Sequence, residues 1–311
     1  MRRCAARLTL LLVALVPIVG CTVQETATAE KDAALAARIE QLVETFLTSD
    51  DDAKNASVLS EARVVFEREG IPSRTKVGDA AAYGFVLINM LGQPPGFRLQ
   101  FFERVQEEAS RQGLPQDALA FAEARRRQTE VEERYSARAP SHPELRAQIS
   151  ELLKEDQAVR ERDGFDLRKM EQADRRTAGP LKAIFDRYGV PTYDMVGVQA
   201  AKDFVVMAQH QPREFRLAVL PKLKANVDAG QADPGTYAMV YDRTQRDRGK
   251  NQLYGQQLEC ATGKALDVAP IDDATNVNVR RAELGLMRLE LYARLVRLNS
   301  PDLCGSVGSQ K

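Results

Sequence analysis

Val65-Phe66-Glu67-Arg68-Glu69-Gly70-Ile71-Pro72 and Ile184-Phe185-Asp186-Arg187-Tyr188-Gly189-Val190-Pro191 are two versions of one phrase, set 119 positions apart. The match continues outward. Val77-Gly78 answers Val196-Gly197, and Ala81-Ala82 answers Ala200-Ala201. After a one-residue gap, Gln93-Pro94 meets Gln211-Pro212 and Phe97-Arg98-Leu99 meets Phe215-Arg216-Leu217. Glycine and proline at matched places impose the same chain breaks, and apolar residues in phase define the same buried faces. Two related domains follow from this, as self-similarity at a long period indicates.

The pattern within each copy is helical. In the first, Leu35, Ile39, Leu42, Val43 and Phe46 recur at helical spacing. A second helix ends at Glu69, because Gly70 can adopt the left-handed cap and Pro72 forbids continuation. Asp79 to Leu91 reads as an apolar helix closed by Gly92, Phe97 to Ala109 as another, and Pro115 opens a charged one to about Ala137. The second copy repeats the plan, with Leu145, Ile149, Leu152, Leu153 and Val159 on its first helix. Phe165 to Tyr188 is expected to be interrupted at Gly179-Pro180, and helices follow at Val198–Gln209, Pro212–Ala229 and Pro234–Arg246. Beyond Gly249 the pattern changes. Gln252 to Glu259 reads as extended and returns through Lys264 to Val268 as a small hairpin. The expected fold class is mainly α: two related helical domains in tandem, the second with a small β-hairpin. Expected boundaries are 31–138, a linker at 139–143, 144–299, and a tail at 300–311.

At the N-terminus, Arg2, Arg3 and Arg7 precede an apolar run of 13 residues, Leu8 to Gly20. That is shorter than the roughly 20 residues of a membrane span and suits an export signal. Ile18-Val19-Gly20-Cys21 resembles the lipobox of bacterial lipoproteins, which implies a signal at 1–20 and acylation of Cys21. Residues 21–30 (Thr22 to Glu30 is TVQETATAE) then read as a flexible tether. The resemblance implies a lipid-anchored protein outside the cytoplasm, facing the periplasm from an outer membrane where there is one. Without Cys4 and Cys21, an even pair remains, Cys260 and Cys304, expected to form a disulfide in an oxidising compartment.

Lys+Arg and Asp+Glu balance at 44 each, and loss of the three signal arginines leaves a net charge of about −3. No basic face stands out, so nucleic acid is a poor candidate partner. Two histidines and two remaining cysteines also argue against a structural zinc site. Neither metal nor cofactor is expected.

Leu145 to Leu298 resembles a bacterial domain family of unknown function. The residues that carry the resemblance are Glu155-Asp156-Gln157 with Arg160, Tyr188-Gly189-Val190-Pro191-Thr192, Ala208-Gln209-His210 with Phe215, Tyr241-Asp242-Arg243, and Gln252-Leu253-Tyr254-Gly255-Gln256-Gln257. Pro270-Ile271-Asp272-Asp273 and Arg281 to Gly285 complete it. The chain departs from the family pattern at Gln256, at Val190, and three residues after Asp174, where Thr177 stands for a common asparagine. The resemblance implies a mainly helical domain and no established activity.

Candidate chemistry is sparse. His210, at a helix end, reads as a partner for free carbonyls or as a general base. His142 falls in the linker and is expected to be solvated. Asp156 and Arg160 can pair on the surface at i,i+4, or Asp156 can face inward and meet a residue from another helix, such as Arg243. Asp242 and Arg243 also read as ordinary helix-end charges. Gln252, Tyr254 and Gln257 offer two amides and a phenol, suited to a polar neutral ligand or to a self-satisfied hairpin. The leading expectation is a non-enzymatic envelope module that binds a protein or small polar ligand. The alternative is a hydrolase-like envelope enzyme with an acid/base site built from Asp156, Asp174 and His210.

Overall fold

The computed structural model describes residues 19–161, 167–260, 266–299 and 304, with side chains described from residue 29 onward except 159–161 and 167. Five helices form the first domain: α1 (Val19–Thr48), α2 (Asp52–Glu69), α3 (Arg74–Gly92), α4 (Pro95–Ser110) and α5 (Gln116–Ser136). The second domain opens with α6 (Pro143–Glu161), α7 (Leu167–Tyr188), the single turn α8 (Tyr193–Val196), α9 (Val198–His210), α10 (Arg213–Asp228) and α11 (Pro234–Asp247). It closes with β1 (Leu258–Cys260), β2 (Leu266–Val268), a 3-10 turn (Ala274–Asn276), α12 (Val277–Glu283) and α13 (Leu289–Asn299). The expected fold class is what the chain adopts, two helical domains with a small hairpin in the second.

The duplication is visible in the backbone. Gly70 and Gly189 sit at φ 69° and 73°, and Gly78 and Gly197 at φ 83° and 81°. Gly78 breaks α3 internally (ψ 163°), just as Gly197 (ψ 167°) separates α8 from α9. Gln93-Pro94 and Gln211-Pro212 are extended at matching dihedrals. Each copy has its own core. Ile39, Phe85, Phe101 and Phe121 are fully buried in the first. Ile149, Leu181, Phe204 and Leu223 are fully buried in the second.

The two bodies are tied by the end of the chain. Ala282 lies in the first core, with Met287 and Leu291 packed on it. Arg288 forks onto Asp117 with Nε to Oδ2 at 2.5 Å and Nη2 to Oδ1 at 2.6 Å, and its guanidinium covers the Tyr83 ring at 4.1 Å. Its backbone N–H also donates to the Tyr83 hydroxyl at 3.0 Å. A fork of this kind is among the stronger charge-assisted bonds.

Four expectations change. The helix α7 is continuous through Pro180, because Leu181 and Ile184 bury its following turn in the core and tertiary packing offsets the lost backbone bond. The stretch expected as a tether, residues 21–30, lies inside α1. The expected strand from Gln252 shrinks to β1, which pairs antiparallel with β2 through Leu258↔Val268 and Cys260↔Leu266. His142 is half-buried rather than solvated, with its ring edge on Tyr188 and its backbone N–H on Met195 O at 2.9 Å. Cys260 and Cys304 form the expected disulfide, with Cα atoms 5.4 Å apart. No helix among the described residues is long and apolar enough to cross a membrane. Residues 1–18 of the expected signal (1–20), and the expected tail at 300–311 apart from Cys304, lie outside the described residues.

Candidate functional site

Three helices of the second domain bring Asp156 (α6), Asp174 (α7) and His210 (the last residue of α9) together. One ligand-type atom from each lies within 4.8 Å of the other two, an arrangement able to hold a metal ion or to act as an acid–base site. Asp156 occupies the position on α6 that continues the stripe Leu145, Ile149, Leu152, Leu153, which is why a carboxylate faces inward. It is fully buried. The carboxylate is thus not a surface group, and the Arg160 side chain, its other expected partner, lies outside the described residues. Asp156 does face inward, and a residue from another helix that it meets is His210, with Oδ2 3.4 Å from Nδ1.

His210 ends α9, yet its imidazole turns toward Asp156 rather than toward the last carbonyls of the helix. Its side chain is 12% exposed. Nδ1 is buried and makes no hydrogen bond despite its nearness to Asp156. On the other edge of the ring the Gln209 amide stands 3.3 Å from Nε2. Gln157 Nε2 donates to Asp156 Oδ2 at 2.9 Å.

A scaffold unread in the sequence positions these groups. Thr177 is buried and its hydroxyl donates to Ala173 O at 3.1 Å and Asp174 O at 3.2 Å. Gln211 Nε2 reaches the Thr177 hydroxyl at 3.2 Å, fixing α7 against the end of α9. Arg216 donates to the carbonyls of Gln209 and Gln211 and pairs with Asp247. Burial first, and then the nearby charge of Arg243, push Arg216 down to about 10. An open cavity of about 440 Å³ lies over the cluster, lined by Asp174, His210, Arg175, Arg213 and Arg216 among others.

Asp242, Gln252 and Tyr254 are placed elsewhere, in a knot that holds the loop before β1. The carboxylate of Asp242 is fully buried and accepts the backbone N–H groups of Leu253 (2.8 Å), Tyr254 (3.1 Å) and Gln256 (2.9 Å). Its pKa is raised by burial, which outweighs those three bonds. Gln252 donates to Gln257 O and Ala269 O and accepts from Gln257 N–H at 2.8 Å. Residues 252–257 are thus not a strand with alternating faces. Tyr254 packs edge-on against Tyr237 and Tyr241, and burial pushes its phenol up to about 12. Arg281, itself fully buried, donates to Tyr254 O at 2.6 Å. The self-satisfied hairpin reading describes these groups.

Residues 143–300 match the family of unknown function DUF6624. The chain belongs to this family. The match covers the whole second domain and includes all three residues of the cluster, so the site is a property of the DUF6624 region. No curated protein and no solved structure matches the chain.

The leading expectation of a non-enzymatic binding module is overturned by the convergence of Asp156, Asp174 and His210. Two carboxylates and an imidazole gathered inside 4.8 Å, one of them fully buried, favour the alternative of an acid/base site over a module that only binds. Collecting such groups is costly and is characteristic of reaction sites. The sequence offers Asp156, Asp174 and His210 as an alternative site but does not bring them together, because they stand 18 and 36 residues apart.

Proposed function

We propose that the DUF6624 region of this chain is a hydrolase-like enzyme of the cell envelope, with its acid–base centre at Asp156, Asp174 and His210. The carrying observation is the approach of His210 Nδ1 to the buried Asp156 carboxylate at 3.4 Å beside an open cavity. A carboxylate beside an imidazole can orient the ring, which can then take a proton from a nucleophilic water and return it to a leaving group. Asp174, half-buried and lining the cavity, is the carboxylate with access to substrate.

The envelope address rests on two supports. One is the N-terminal sequence, with basic residues, a 13-residue apolar run and a small residue before Cys21. The other is the Cys260–Cys304 disulfide, a bond that persists in oxidising compartments. Acylation at Cys21 makes the membrane surface a partner through lipid.

The test is a panel of chromogenic esters, phosphoesters and glycosides, hydrolysed by the wild-type chain and by Asp156→Asn and His210→Ala. A loss of about 10²- to 10⁴-fold in either variant is expected for an acid–base group. Equal hydrolysis in all three proteins sinks the reading. Membrane partitioning of Cys21→Ala tests the anchor separately, and unchanged partitioning removes it.

A further inference from the structure

We infer that Asp156, Asp174 and His210 bind one divalent first-row transition-metal ion. The inference deepens the proposed reaction site and rests on that reading for its role; with the ion bound, His210 serves as a ligand and the ion rather than the imidazole activates the water, and ion binding is measurable without turnover.

Geometry comes first. Metal–oxygen and metal–nitrogen bonds of about 2.0–2.2 Å place neighbouring ligand atoms about 3.0–3.6 Å apart. Asp156 Oδ2 and His210 Nδ1 already stand at 3.4 Å, and all three ligand atoms fit within 4.8 Å. Contraction by rotamer adjustment of the half-buried Asp174 completes the set.

His210 supplies the second, independent observation. A histidine nitrogen beside a carboxylate ordinarily donates a proton to it. Here Nδ1 is buried, faces the cluster, and makes no hydrogen bond. A nitrogen so placed is suited to offering its lone pair to a cation. The opposite nitrogen has a neighbour that fits the role of an outer-shell partner. The Gln209 amide nitrogen is 3.3 Å from Nε2, and the flipped amide, with its oxygen toward the ring, would accept the Nε2 proton and fix the tautomer. Gln157 in turn orients the Asp156 carboxylate at 2.9 Å.

Charge and access agree. Two carboxylates match the charge of a divalent ion. One imidazole with two carboxylates suits Zn²⁺, Mn²⁺ or Fe²⁺ better than an all-oxygen ion such as Ca²⁺. Three protein ligands leave a position open toward the cavity of about 440 Å³, where water can bind and be activated. The scarcity of histidine and cysteine did not speak against such a site, because two of its three ligands are carboxylates.

The experiment strips the purified full chain with a chelator and titrates it with Zn²⁺ and with Mn²⁺ by calorimetry. Thermal unfolding is followed with and without each ion. One ion per chain is expected for the wild type, at least about 100-fold weaker in Asp174→Asn and in His210→Ala, and unchanged in Asn55→Ala of the first domain. His210→Gln and circular dichroism guard against loss of fold. Stoichiometric binding that survives all the site substitutions overturns the assignment, as does no binding by the folded wild type. Hydrolysis by the ion-free chain at the wild-type rate also overturns it and leaves the acid–base reading standing. One bound ion without hydrolysis of any substrate supports the metal site and removes the enzymatic reading.

Discussion

The two domains share a helical plan, and they differ most tellingly at one place within it. On α1, Leu35, Ile39, Leu42, Val43 and Phe46 have the spacing of Leu145, Ile149, Leu152, Leu153 and Asp156 on α6. Phe46 is therefore the counterpart of Asp156. Asn55 holds the place of Asp174 at the repeat offset of 119. Gly92 ends α3 just before Gln93-Pro94, as His210 ends α9 just before Gln211-Pro212. A β-carbon at Gly92 would meet Phe46 Cε2 at 2.7 Å and Leu59 Cδ2 at 2.5 Å. The phenyl ring and a leucine thus fill the space that an imidazole and a carboxylate take in the second domain. What both copies keep, including Gln93/Gln211 and Arg98/Arg216, holds the fold. What only the second has includes the Asp156–Asp174–His210 cluster.

The strongest way to break this comparison is to convert the second domain into the first. Asp156→Phe combined with His210→Gly is expected to keep the helical circular dichroism spectrum and to lose hydrolysis by about 10²- to 10⁴-fold. Retained turnover in that double variant would move the reaction site elsewhere.

The disulfide has no counterpart in the first domain. It closes a span of 44 residues, so Cys304→Ser is expected to cost roughly 4 kcal/mol on the chain-entropy estimate, read from the urea midpoint. An unchanged midpoint would show that α13 is held by its contacts alone.

Asp242 anchors the loop that the first domain lacks, and Asp242→Asn is expected to cost about 2–4 kcal/mol, because the new amide N–H₂ faces backbone donors. The sign with pH follows from the raised pKa. A group whose folded pKa lies above its unfolded value contributes stability that is fully present below the unfolded value and is lost as pH rises through the folded one. The wild-type advantage over Asp242→Asn should therefore widen as pH falls from neutral toward about 4. Denaturant titrations at both ends of that range check it, and an advantage that shrinks in acid contradicts the assigned direction.

The smallest effect sharpens the alignment itself. Gln112 and Gly230 occupy the same left-handed turn, at φ 58° and 66°. Only the glycine is unstrained there. Gly230→Gln should lower stability by about 1 kcal/mol and Gln112→Gly should raise it by somewhat less, seen as opposite shifts in melting temperature. Shifts of the same sign would mean that the two turns are not equivalent.

Most of the long helices, the duplication and the breaks at Gly70, Gly189, Gly92 and Pro212 were legible in the amino-acid sequence, because periodicity and backbone restrictions act over a few residues. So was the pairing of Cys260 with Cys304, once only two cysteines remained to pair. The site was only half legible. Asp156, Asp174 and His210 could each be named, but a surface pair, a helix-end charge and a reaction centre look alike along the chain. Their meeting depends on how α6, α7 and α9 cross, which is set by the packing of Ile149, Leu181 and Phe204. The same holds for Asp242, whose role came from a loop folding back over it. Local chemistry fixes where the chain turns, whereas long-range packing decides which side chains share a space, and function follows from the second.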